Sequence, residues 1–172
     1  MKVLNVGCGM AAIHSQFTGW EEVRLDIDKA VEPDIRCDML CLPFDVTYDA
    51  VYSSHNLEHL YAHEVIHALR GFYRVLKING LVLIGVPNLQ AIAIEISQGR
   101  LEDVLYESPA GPISAIDCVY GFRKWVEAGK EYQAHKTGFT PQTLAGKMKA
   151  AGFGKIEVET NGVDMWASGV KV

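Results

Sequence analysis

The sequence lacks any long hydrophobic run. Its longest apolar stretches, such as Leu81–Pro87, fall far short of the ~20 residues that cross a bilayer, so a helical membrane span is excluded. It also lacks a surplus of positive charge. Sixteen Lys and Arg against 21 Asp and Glu leave a net charge of −5, the wrong sign for a general binder of nucleic acid or of an anionic membrane. The four cysteines (Cys8, Cys37, Cys41 and Cys118) form no C-x-x-C unit, and Cys37 with Cys41 alone does not make the four-ligand set of a structural zinc site. The opening Met1–Cys8 segment holds no apolar region of the ~7–15 residues that an export signal requires, so free thiols in the cytoplasm are expected. Repeats and low-complexity linkers are missing too. What remains is an ordinary globular composition, 49% hydrophobic and 22% charged over 172 residues, which reads as one domain, 1–172.

The apolar pattern alternates strand and helix. Lys2–Val6 is a β run ending in the glycine-rich turn Gly7-Cys8-Gly9-Met10-Ala11-Ala12. Glu22–Ile27, Asp34–Cys37 and Tyr48–Ser53 read as further strands. Leu57–Leu76 has apolar residues at helical spacing (Leu60, Ile66, Leu69, Phe72, Tyr73, Leu76). Asn79-Gly80 then turns into Leu81–Val86, an unbroken apolar strand of the kind buried on both faces of a parallel sheet. Asn88–Gly138 breaks the rhythm. Its apolar pieces Ile92–Ile96, Val104–Tyr106, Ile113–Tyr120 and Trp125–Ala128 suggest a helical cap packed on the domain. Thr140-Pro141 opens a helix to Ala151, with Thr as N-cap and Pro at the first position. Lys155–Thr160 and Val163–Val170 form a hairpin about Asn161-Gly162.

A strand leading through small residues into a turn presents backbone N–H groups to a ligand. Gly7, Gly9 and Ala12 fit a loose dinucleotide fingerprint, while Gly7, Gly9 and Ala11 approximate a G-x-G-x-G turn. Asp26, at the end of the second strand, offers a bidentate acceptor for two ribose hydroxyls. Asp38 can accept from an adenine amino group, with Met39 against the ring.

Taken in order, the LNVGCG start, Asp26, the Leu42-Pro43-Phe44 turn, Ser53-Ser54-His55-Asn56-Leu57-Glu58-His59-Leu60 and the closing Phe139-Thr140-Pro141 resemble class I S-adenosylmethionine-dependent methyltransferases. More narrowly, they resemble a small bacterial group with LNxGCG, LPF and SxHxLEHL segments. The resemblance implies an α/β, Rossmann-like fold with a mostly parallel seven-stranded sheet of order 3-2-1-4-5-7-6. It implies that S-adenosyl-L-methionine is the cofactor. Gly7 and Gly9 would receive its methionine end, Asp26 the ribose, and Asp38 and Met39 the adenine. Ser53 and His55 would line the floor beneath the sulfonium. Asn5, Cys8, Ile27 and Ser54 complete the cofactor-binding set.

The chain also departs from the family. Met10–Glu21 leaves room for two helical turns at most, and Asp28–Asp34 for no helix at all. The adenine side should therefore be thin, or covered by the cap or by a second copy in a homo-oligomer. Ala11 replaces the third glycine, which requires a negative φ there. For a hydroxyl acceptor, a proton-accepting base is needed. His55 and His135 are the catalytic candidates, ahead of Tyr120 and Asp117, while His63 and His67 read as a solvent-facing stripe. Glu58-His59 resembles the E-H pair of ubiquinone-pathway and small-RNA methyltransferases that hold a divalent metal. Here that set would be His55, Glu58 and His59, an alternative to a reading without metal. The leading expectation is O-methylation of a small hydroxylated metabolite or sugar precursor, with no nucleic-acid or membrane partner. A metal-assisted or N-directed transferase is the second reading. A non-catalytic cofactor-binding partner subunit is the third.

Overall fold

The computed structural model describes residues 1–172 except Phe44, so the Leu42-Pro43-Phe44 turn lies partly outside the described residues. Five strands come first: β1 (Lys2–Val6), β2 (Glu21–Asp26), β3 (Ile35–Arg36), β4 (Tyr48–Ser54) and β5 (Leu76–Pro87). A separate hairpin, β6 (Val104–Ser108) and β7 (Gly111–Ser114), precedes the final pair, β8 (Phe153–Asn161) and β9 (Asp164–Lys171). The large sheet runs β3-β2-β1-β4-β5-β9-β8. Counted within that sheet alone, the order is the expected 3-2-1-4-5-7-6. β1 to β5 are parallel, and β9 joins β5 antiparallel. No helix among the described residues is long and apolar enough to cross a membrane.

One sheet face is covered by α1 (Val65–Val75) and, through the later strands, by α5 (Pro141–Ala151). Val65, Ala68, Leu69, Phe72 and Val75 recur every three or four residues along α1 and are buried. They meet Val6, Val51, Val82 and Ile84 in the main core. Truncating a side chain such as Phe72 there costs about 3–5 kcal/mol. α5 begins and ends as the sequence indicates. Thr140 caps it, with Thr143 reciprocating, and Gly152 closes it at φ +112°. The opposite face is covered thinly. Phe17, with Ile13 and Trp20, packs on Val3, Ala50, Tyr52 and Leu83. Where up to two helical turns were expected, Met10–Glu21 holds one 3-10 turn, Ser15–Phe17, and Asp28–Asp34 another, Lys29–Val31. Aromatic edges, Phe17 against Trp20 and Tyr52, take the place of a helix.

The expected helix Leu57–Leu76 is interrupted. Leu57–His59 is a 3-10 turn, Leu60 is extended, and α1 begins only at Val65. The Glu58 carbonyl that a continuous helix would use accepts instead from Lys136 N and Thr137 N, at 2.8 and 3.2 Å. The Tyr61 N–H is taken by the Glu64 carboxylate at 2.8 Å. β5 also starts earlier than expected, at Leu76, with Asn79 at φ +62°.

The cap is mixed, not wholly helical. Its helices are α2 (Leu89–Ser97), α3 (Ala115–Tyr120) and α4 (Arg123–Glu127). Val104–Tyr106 is a strand, as is Ile113. Ser108 accepts from Ala110 N at 3.2 Å and donates to Gly111 O at 2.8 Å, pinning a tight turn that pairs the two short runs. Short apolar runs of this kind carry no period that separates helix from strand. In the last hairpin Asn161 pairs with Asp164, so the turn residues are Gly162 and Val163, one position later than expected. Gly162, at φ +60°, supplies the positive φ that a two-residue hairpin turn demands.

Candidate active site

The site lies at the carboxyl edge of β1, β2 and β4, where open α/β sheets bind ligands. Beyond β1 the chain turns at Gly7 (φ +66°) and Gly9 (φ +50°). Gly7 N and Cys8 N both donate to Leu25 O on β2, at 2.8 and 3.1 Å. The Asp26 carboxylate accepts from Gly9 N and from Asp28 N, each at 2.9 Å. Arg24 returns a bond to Gly9 O at 2.7 Å. The turn is thus built against β2 before any ligand arrives; Asp26 Oδ1 keeps a lone pair, and the second lone pair of Oδ2 faces only the Cys8 thiol, 4.0 Å away. Ala11 avoids positive φ, as its side chain requires. Nothing lies within 4 Å of where a Cβ on Gly9 would stand, so the turn is open above that residue.

Asn56 is the residue that sequence reasoning missed here. Its Nδ2 donates to Val6 O, Gly7 O and Ser54 O, at 2.9, 3.3 and 2.8 Å. Two amide protons shared among three carbonyls tie the end of β1 to the end of β4. A Cβ on Gly7 would stand 1.9 Å from Asn56 Oδ1. The available signal was the habit of Asn to bond nearby backbone at turns.

The other cofactor candidates divide. Ile27 is exposed beside Asp26. Cys8 is buried, and burial pushes its thiol pKa up. Ser53 is buried, with no partner for its hydroxyl among the described residues, and Ser54 is half-buried beside it. Asn5 donates to Glu22 across the strands at 2.7 Å, so its amide serves the sheet. Asp38 caps the 3-10 turn Met39–Cys41 through Leu40 N at 2.8 Å. Met39, the side chain expected on an adenine ring, is half-buried and packs against the main core.

A second cluster gathers after β4. His55, at φ +52°, has Nδ1 3.4 Å from Glu58 Oε1 and Nε2 3.7 Å from Asp164 Oδ1. Burial disfavours its charged form, but the Glu58 and Asp164 carboxylates outweigh this and hold its pKa above the ordinary value. Burial would neutralise Glu58, yet the surrounding histidines, His55 foremost, keep its pKa below the ordinary range. Burial also raises Asp164, against the pull of His55. From the cap, His135 stacks edge-on to His59 with ring centres 5.0 Å apart, and burial lowers its pKa. Cys118 is pushed up to about 12, by burial and then by Asp164. The expected set His55, Glu58 and His59 is therefore rearranged. The atoms that converge belong to Glu58, His59 and His135, while His55 lies between Glu58 and Asp164. Asp164 comes from the far edge of the chain, and no local signal marked it.

Tyr120 is exposed. Asp117 belongs to the cap's own framework, accepting from Ser114 and Arg123. The cap also reaches across to the cofactor side. Tyr132 donates to Asp28 at 2.8 Å, and Lys130 lies 3.4 Å from the same oxygen. The thin adenine side is bridged from within the chain at that point.

These features, a 3-2-1-4-5-7-6 sheet with a glycine turn and an acidic tip on its second strand, define the fold of class I S-adenosylmethionine-dependent methyltransferases. The family model described as "Methyltransferase domain" matches residues 4–84. Among solved structures, a SAM-dependent methyltransferase of Archaeoglobus fulgidus is similar at 17% identity and TM-score 0.65, over 99% of this chain and 86% of that one. A SAM-dependent methyltransferase of Thermotoga maritima is similar at 14% identity and TM-score 0.63, over 99% and 82%. The 1,6-didemethyltoxoflavin-N1-methyltransferase of Burkholderia thailandensis, solved with S-adenosylhomocysteine, is similar at 14% identity and TM-score 0.61, over 99% and 71%. Among curated proteins, none matches the sequence. The fold is that of class I S-adenosylmethionine-dependent methyltransferases, and the methyltransferase-domain model matches the N-terminal part of the chain, residues 4–84.

Proposed function

We propose that this protein is an S-adenosylmethionine-dependent methyltransferase that methylates an oxygen of a small hydroxylated metabolite. The observation that carries the reading is the pre-built turn of Gly7–Gly9 on Asp26, beside a cluster of proton-accepting side chains at the end of β4. The residues fit the cofactor. Open space above Gly9 suits its methionine end, and the remaining lone pairs of Asp26 suit two ribose hydroxyls. Exposed Ile27 offers an apolar surface for adenine, with the Asp38 carboxylate nearby in the chain. Met39 and Asn5, engaged elsewhere, drop out of the set.

The bound cofactor supplies a methyl on cationic sulfur, so that alignment provides much of the acceleration. The chain's own residues then orient the acceptor and take its proton. His55, about 40% exposed, serves as base. Glu58 and Asp164 flank its two ring nitrogens and hold the ring in place. N-directed transfer is the second reading, favoured by the N1-methyltransferase among the similar folds.

Calorimetry with S-adenosylhomocysteine tests the proposal. Binding in the micromolar range is expected, on the order of −8 kcal/mol; no heat at millimolar ligand sinks it. For the acceptor, His55→Ala should retain S-adenosylhomocysteine affinity while methyl transfer to hydroxyl acceptors collapses. Undiminished transfer to amines in that variant would favour the N-directed reading.

A further inference from the structure

We infer that residues 130–137 form a strap across the cofactor cleft, and that its latch on Asp28 gates the entry and exit of the cofactor. The inference rests on the methyltransferase reading above. The strap is anchored on both sides of the glycine turn. At one end Tyr132 Oη donates to Asp28 Oδ2 at 2.8 Å, and Lys130 Nζ lies 3.4 Å from the same oxygen. Asp28 follows the tip of β2, and its N–H holds Asp26 Oδ1 at 2.9 Å. At the other end Lys136 N and Thr137 N donate to Glu58 O, beyond β4.

In the sheet, β1 lies between β2 and β4. Two strand spacings are ~10 Å, and the chain from Tyr132 to Lys136 reaches ~14 Å at most. So short a tether has little slack, and it passes the carboxyl end of β1, where Gly7–Gly9 turns. Nothing lies within 4 Å of where a Cβ on Gly9 would stand, so room for a ligand remains beneath. The strap also lies where other cover is scant, since Met10–Glu21 and Asp28–Asp34 each hold a single 3-10 turn.

The two anchors differ in kind. The Glu58 end is backbone on backbone, reinforced by His135 N on Tyr120 O at 3.1 Å. The Asp28 end is two side chains on one carboxylate oxygen, with Tyr132 exposed and the Lys130 side chain 44% exposed. Just before it stands Gly129, at φ +84° and with open space about it. Exposed side-chain bonds give way to water at little cost, so the Asp28 end releases first and the cleft opens on the adenine side. The latch is made without a ligand. It therefore holds the strap shut in the free and the loaded protein alike, and slows entry and exit together while leaving affinity nearly unchanged. A residue that merely touched the ligand would slow exit alone.

Surface plasmon resonance with S-adenosylhomocysteine over the full chain, captured through a terminal tag, reads both rate constants. Tyr132→Phe should raise association and dissociation each about 10-fold, the worth of one bond to a charged group. The Lys130→Ala/Tyr132→Phe pair should raise them further, with the equilibrium affinity moved less than about threefold. Lys124→Ala, on α4 outside the latch, should leave both rates unchanged. Thermal melts report whether each variant is folded, and Tyr132→Phe carries the test if the pair is not. Wild-type rates in the folded variant overturn the inference, as does faster dissociation with unchanged association. Either result, with S-adenosylhomocysteine bound, defeats the gate alone and leaves the methyltransferase reading standing. No binding to the wild type at millimolar ligand defeats that reading, and the gate with it.

Discussion

Gly7→Ala probes the joint on which the candidate site rests. Two costs are read from the structure. Gly7 has φ +66°, and an L-residue held in that region costs about 1–2 kcal/mol. The new Cβ would stand 1.9 Å from Asn56 Oδ1, so Asn56 must leave. Its amide then abandons the carbonyls of Val6, Gly7 and Ser54, a loss of about 1–3 kcal/mol for groups this sheltered. The sum is about 2–5 kcal/mol, or a fall in melting temperature of roughly 5–15 °C for a chain of this size. Urea and thermal unfolding followed by circular dichroism measure it. The two costs separate in a double-mutant cycle with Asn56→Ala. There the collision is gone, so Gly7→Ala should cost only the φ term of ~1–2 kcal/mol, leaving a coupling of at least ~1 kcal/mol. Additive single and double variants, or a Gly7→Ala loss under ~0.5 kcal/mol, would refute the claim that Asn56 and Gly7 lock β1 to β4.

Asp26→Ala removes the acceptor for Gly9 N and for the ribose together. S-adenosylhomocysteine affinity by calorimetry should fall about 100-fold or more, at ~1.5–3 kcal/mol for each bond to a charged group; unchanged affinity would show the ribose contact to be misplaced. Tyr132→Phe removes the cap's bond to Asp28. Amide exchange over residues 128–134 should quicken while global stability barely moves, because the opening is local; equal exchange would mean the bond holds nothing. Asp117 is buried, and although burial opposes its ionisation, Arg123 and Ser114 bring its pKa down to about 2 from 3.8. A depressed carboxyl stabilises the fold fully above its unfolded value and loses that contribution as pH falls through the folded one. The cap should therefore weaken between about pH 4 and pH 2, by roughly 2 kcal/mol at most, less the screening of a half-exposed guanidinium. Arg123→Ala should shift that acid transition upward in circular dichroism; an identical acid limb would remove the ion pair from the account.

The sheet order and the cofactor edge were legible because they rest on local, repeated signals. Alternation between apolar runs and three-or-four spacing marked β1, β4, β5 and α1, and Thr140-Pro141 with Gly152 bounded α5 to the residue. Where the reading slipped, a distant partner had taken over a local bond. The helix expected from Leu57 stops because Lys136 and Thr137 take the Glu58 carbonyl. Met39, partly buried, packs against the main core, a contact that no local signal in the sequence marked. The cap's hairpin was hidden because a run of three or four apolar residues fits a strand and a helix turn equally well.

By itself the sequence determined the class of fold, the glycine turn, the acidic tip at Asp26 and the concentration of histidines after β4. Those are set by composition and spacing along a few tens of residues. Only the tertiary structure decided which side chains act together. It drew Asp164 from the last hairpin to His55 and brought His135 from the cap to Glu58 and His59. It also laid Tyr132 across to Asp28. Such contacts arise from packing between elements far apart in the chain, and the local physics that writes helices and strands carries no record of them.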